Sequence, residues 1–63
     1  MTITFTITEV KSNLGECYSI TTTNSIGREY NYSIVMKNNL FAIMELITKE
    51  LNDRGYGVLF EVG

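Results

Sequence analysis

Cys17 is the only thiol in this chain of 63 residues, and there is no histidine. Those two facts narrow the covalent and acid–base chemistry open to it. A cysteine becomes a nucleophile where a neighbouring base or positive charge lowers its pKa. Its expected cross-strand neighbour, Val35, supplies neither, so Cys17 reads as a small apolar packing residue. Without histidine, the commonest general acid–base near neutral pH is missing. The carboxylates Glu9, Glu16, Glu29, Glu45, Glu50, Asp53 and Glu61 fall on several elements with no evident pair. One thiol among scattered carboxylates does not make a zinc site. The glycines stand singly at turn positions, without a GxGxxG or phosphate-loop pattern. The expectation is a non-enzyme, with no catalytic, cofactor-binding or metal-ligating residues.

What the chain does offer is contact chemistry. Tyr18, Tyr30 and Tyr32 each carry a ring that packs and a hydroxyl that stays wet, a combination enriched at protein interfaces. The threonines of "TITFTIT" and "TTT" offer a flat, hydroxyl-rich and nearly uncharged surface. Threonine ladders of this kind resemble those of ice-binding proteins in residue type only. Threonine is also the polar residue that a solvated sheet face prefers.

The elements that position these side chains follow from periodicity. "TITFTITEV" alternates strictly, with Ile3, Phe5 and Ile7 on one side and Thr2, Thr4, Thr6 and Thr8 on the other, as a half-buried strand does. A second strand, about residues 16–23, carries Tyr18, Ile20 and Thr22 on one face. A third, about 28–36, carries Tyr30, Tyr32, Ile34 and Met36 together. Between them, a three-residue loop (Ser25, Ile26, Gly27) with Gly27 left-handed would set Asn24 opposite Arg28. Thr22 would then face Tyr30, Ile20 face Tyr32 and Tyr18 face Ile34, the register that keeps apolar residues together. "NNLFAIMELITKELNDRGYG" reads as one helix. Its core stripe is Leu40, Ile43, Met44, Ile47 and Leu51, with Asn38 or Asn39 as cap and Gly55 as left-handed stop. Glu45 and Lys49 are spaced as an i,i+4 pair. "YGVLFEV" gives a last strand with Val58, Phe60 and Val62 inward.

The order is β-β-β-α-β in a single compact α+β domain over residues 1–63. An antiparallel meander is followed by a helix that returns the last strand parallel to the first. The right-handed crossover rule then gives strand order 4-1-2-3 with the helix packed on one face. Such a chain has a marginal core, with stability of roughly 0.05–0.15 kcal/mol per residue. Disulfides, metals and oligomerisation are the usual supplements for small domains. With one cysteine and no zinc-type ligand set, association with a partner is the one left.

The net charge is −2 and the basic residues Lys11, Arg28, Lys37, Lys49 and Arg54 are dispersed. That is no footprint for direct nucleic-acid binding. The start of the chain lacks the pattern of a signal peptide, and no apolar run is long enough to cross a membrane. A cytoplasmic location is the expectation. No family motif is present. In size, acidity and want of catalytic equipment the chain resembles the small stand-alone proteins of phages and mobile elements, some of which bind and block host enzymes.

The third strand would lie at the sheet's edge without proline or interior lysine, the usual guards of an exposed edge. The expected function is therefore a non-enzymatic protein-binding module, a small regulator or inhibitor. It would form a homodimer or bind a host protein through the edge made by the second and third strands. The expected interface is Tyr18, Tyr30, Asn31, Tyr32, Ser33 and Ile34, extended by Phe41 and Leu46 on the helix. The alternative is a small ligand-binding or enzymatic domain that uses the helix–sheet cleft, with Tyr18, Tyr32 and Cys17 as its polar groups. A subunit fragment of a larger assembly is the third reading.

Overall fold

The computed structural model describes all residues, 1–63. In chain order the elements are β1 (Thr2–Val10), β2 (Cys17–Thr21), β3 (Tyr32–Met36), α1 (Leu40–Asp53) and β4 (Gly57–Val62). Short 3-10 turns over Arg28–Tyr30 and Lys37–Asn39 lead into β3 and α1. The strands lie in the order β3-β2-β1-β4, the expected arrangement read from the other edge. β2 is antiparallel to both β1 and β3, whereas β4 is parallel to β1, so the sheet is mixed.

The alternation along β1 does what its pattern requires. Ile3, Phe5 and Ile7 are buried, and they join Ile20, Val35, Ile47 and Leu51 in one apolar cluster. Leu40, Ile43 and Met44 complete the helical stripe, half-buried against that cluster. Fully burying an aliphatic side chain of this size stabilises a fold by about 1.5–3 kcal/mol, so this short list supplies most of the driving force. The Phe5 and Phe60 rings pack at 5.7 Å between centroids, tilted by 31°. This contact ties β4 to the centre of the sheet. Gly55, at φ 91°, ends α1 in the left-handed conformation expected of it.

The helix start and its surface pairs differ from expectation. Neither Asn38 nor Asn39 caps α1 through its side chain. Asn39 enters the helix with near-helical backbone (φ −103°, ψ −7°), not the extended backbone from which a cap side chain reaches back. The tight turn over Lys37–Asn39 takes the place of a cap, and it lifts the chain from the sheet edge onto the sheet face. Lys49 pairs with Asp53 at 3.2 Å, one turn further on, and not with Glu45. At the end of β4, Val62 is aligned with Ile7 but remains 92% exposed. The expectation that it points into the core is thus corrected: it lies beyond the end of what α1 covers.

The connection from β2 to β3 is the largest departure. It is not a three-residue hairpin: β2 stops at Thr21 and β3 starts at Tyr32. Neither the Asn24–Arg28 nor the Thr22–Tyr30 pairing forms. The reason is Ile26. A tight hairpin would leave this isoleucine at an exposed tip, whereas the wider loop folds it against the core. The loop is stitched by Asn24, whose backbone carbonyl accepts from Gly27 N at 3.2 Å and whose side-chain oxygen accepts from Ile26 N at 2.8 Å. Gly27 is not left-handed, with φ −93°. It is buried, and a Cβ there would lie 2.9 Å from Phe5 Cζ and 3.1 Å from Ile3 Cγ2. Close approach, not backbone conformation, requires the glycine.

Ile20 does face Tyr32, but Tyr18 then faces Val35 in place of Ile34, and Cys17 faces Met36 in place of Val35. Two residues of β3, Ser33 and Ile34, occupy the place opposite Ser19, which is a β-bulge. The bulge turns Val35 inward, at 5% exposure, and leaves Ile34 at 54%.

Candidate protein interface

The residues expected at an interface fall into separate places. Tyr18, Tyr30 and Tyr32 are half-buried and pack against the core cluster, so each ring is largely committed to the fold. Asn31 is exposed, but its side chain is engaged. Its Oδ1 accepts from Thr22 N at 2.8 Å, and its Nδ2 donates to Thr22 O at 3.4 Å. The side-chain amide thereby imitates one rung of a sheet ladder where the β2–β3 backbone pairing has stopped. Ser33 and Ile34 are exposed in the bulge. Phe41 and Leu46 are exposed at 78% and 44%. They cannot extend one surface, because five residues at 3.6 per turn set them on opposite flanks of α1.

Phe41 belongs with β4. Between α1 and β4 runs a groove of about 660 Å³, with Phe41, Met44 and Phe60 as its apolar lining and Glu45, Thr48, Lys49, Asn52 and Asp53 as its polar lining. Three of the polar groups on that wall have partners of their own: Thr48 Oγ1 donates to Met44 O at 2.9 Å, and Lys49 holds Asp53. A second cleft, of about 490 Å³, opens at the end of the sheet and brings Tyr18 beside Leu40, Phe41, Met44 and Val62. Phe41 lines both hollows.

The two sheet edges are unlike. β3 is five residues long, is bulged and is flanked by 3-10 turns. Its end is tied by the Glu16–Lys37 ion pair at 2.7 Å. Bulges and charged ends are devices that blunt an edge. β4 runs six residues in regular register along β1. Gly57 N donates to Met1 O, just ahead of β1, and Gly63 N donates to Ile7 O within it. By the alternation of a parallel ladder, the N–H and C=O groups of Val58, Phe60 and Val62 face away from the sheet, unpaired. Leu59 and Val62, at 49% and 92% exposure, stand on the same strand. The bare edge is thus β4, with the apolar groove along its helix side. "GVLFEV" is free of proline and lysine, a signal it shares with "YSIVM" of β3, the strand on which the sequence pattern places the open edge instead.

The electrostatics are those of a surface. The Glu16 hydrogen bond and charge raise the pKa of Lys37, and the side chain of Tyr30, followed by Glu29, raises that of Arg54. Both effects keep a cation charged. Cys17 is fully buried on the face opposite the tyrosines, with Val10 and Met36 as its cross-strand neighbours and its Sγ 3.5 Å from Met36 Sδ. The polar groups of the cleft alternative, Tyr18, Tyr32 and Cys17, therefore do not converge. No three histidine, cysteine or acidic side chains are grouped to hold a metal ion, and no helix is long and apolar enough to cross a membrane. No protein-family model, curated protein or solved structure matches the chain.

Proposed function

We propose that this chain is a non-enzymatic protein-binding module that takes up an extended segment of another polypeptide along the free edge of β4. The observation that supports this reading is the conjunction at β4 of an unguarded, regular edge with an apolar groove beside it. In strand addition, main-chain hydrogen bonds supply affinity and pockets for alternate side chains supply specificity. Phe41, Met44 and Phe60 would form such a pocket on the helix side. In this reading the chain regulates or inhibits its partner by occupying it. The compartment that fits a lone, buried, reduced thiol is the cytoplasm.

Val62→Pro tests the proposal. It removes a donor that faces solvent on an edge strand, a place where proline is tolerated, and Val62 is 92% exposed, so the fold is kept. A protein captured from the source cell by the wild-type chain should be lost with this variant and with Phe41→Ser. Equal capture by wild type and both variants would count against the β4 edge.

A further inference from the structure

We infer that the segment received by β4 is the β4 of a second copy of this chain, paired antiparallel about a two-fold axis through Phe60. This rests on the edge-binding reading above and names its occupant.

The strand is self-complementary in hydrogen bonding. With Phe60 opposite Phe60 of the second copy, Val58 falls opposite Val62 of that copy, and Val62 opposite its Val58. These are the residues whose N–H and C=O groups point outward, so each opposed pair exchanges both bonds of an antiparallel ladder. A register centred on Leu59 would pair Val62 with Tyr56, which lies outside β4, and one centred on Glu61 would oppose Glu61 to itself and shorten the ladder. The chosen register also keeps charges apart. Glu61 meets Leu59 of the second copy, on the face away from the helix, in the closer non-hydrogen-bonded type of pair.

The two-fold axis stands perpendicular to the sheet, so both α1 helices lie on one face and the two grooves open toward each other. Phe60 and Phe41 of each copy then border one shared apolar channel. The groove walls that come to face each other carry both signs, Lys49 with Glu45 and Asp53, so no single-sign wall is opposed to its like. Interface area argues the same way. A stable pair covers on the order of 800 Å² per partner, against a total surface of 4315 Å² for this chain. A strand edge alone falls short of that, and the facing helix flanks are what a second copy adds. An isologous pairing of this kind closes on itself as a dimer.

Sedimentation of the chain from micromolar to hundreds of micromolar should show a monomer–dimer equilibrium. Leu59→Glu places like charges opposite Glu61 twice per dimer and should raise the dissociation constant about tenfold. Leu59→Glu combined with Glu61→Lys puts opposite charges there and should bring it back to near wild type. Leu59 lies away from the core cluster, so the folded monomer is kept in both variants, as circular dichroism should show. A chain that stays monomeric throughout overturns the second copy as occupant. So does assembly beyond the dimer, which signals head-to-tail pairing of β4 with β3, and so does a dimer indifferent to both charge changes. Loss of a captured foreign partner on Val62→Pro in a chain that never dimerises would leave the edge-binding reading standing and the self-pairing overturned.

Discussion

Gly27→Ala puts the account of the β2–β3 loop at risk, because two effects of opposite sign compete there. At φ −93° and ψ 0° alanine is an acceptable residue. The substitution would by itself stabilise the fold by about 0.4–1 kcal/mol, by restricting the unfolded chain. Against this, the new methyl would lie 2.9 Å from Phe5 Cζ, 3.1 Å from Ile3 Cγ2 and 3.2 Å from Thr22 Cγ2. Phe5 and Ile3 are fully buried, and Phe5 is held from its other side by Phe60, so neither can swing away freely. Overpacking of a close-packed core costs about 1–3 kcal/mol, and the net expectation is a loss of roughly 1–2 kcal/mol. For a domain this small that lowers the melting temperature by about 4–16 °C. The assay is thermal unfolding followed by circular dichroism, with Gly55→Ala as the contrast. A methyl added at Gly55 would meet nothing within 4 Å, but the residue sits at φ 91°, so its loss comes from backbone strain alone. A Gly27→Ala variant that melts at or above wild type would refute the claim that close packing, not turn conformation, selects this glycine.

Other expectations concern single residues. Asn31→Ala removes both side-chain bonds to the Thr22 backbone and should cost about 1 kcal/mol; Asn31→Asp, which keeps the acceptor and loses the donor, should cost less in the same denaturant titration. Ile47→Ala empties a fully buried position and should cost about 2–5 kcal/mol, which a urea midpoint would show as a population already partly unfolded without denaturant. Cys17, with no exposed surface, should react with a thiol reagent only as fast as the chain opens; rapid labelling under native conditions would contradict its placement.

How much of this was legible in the sequence depended on whether a pattern had one physical meaning. Period two along "TITFTIT" and the 3.6-residue stripe from Leu40 to Leu51 each admit a single reading, and the crossover rule then orders the strands. Gly27 had two meanings. A glycine in a turn is needed either for positive φ or for a close neighbour, and only the position of Phe5 separates them. Ile26, an isolated isoleucine among polar residues, was the available hint that the loop folds inward. The bulge at Ser33 and Ile34 leaves no mark in the alternation, yet it exchanges the roles of Ile34 and Val35. For the surface, Phe41 was recognisable as a helix residue off the core stripe. Its companions Phe60 and Val62 were not, because residues on β4 read as inward until the reach of α1 over the sheet is known. Both edge strands lack proline and interior lysine, so sequence alone weighs them equally, and the tyrosines drew attention to the bulged one.

Amide hydrogen exchange at two protein concentrations tests the central claim most directly. In a dilute sample the amides of Val58, Phe60 and Val62 should exchange quickly, since they face solvent along the free edge of β4. At a concentration well above the dissociation constant those three should become protected together, while the exposed amides of Tyr32–Met36 keep their rates. Protection that appears instead along β3, or β4 amides whose exchange does not depend on concentration, would contradict self-pairing through β4.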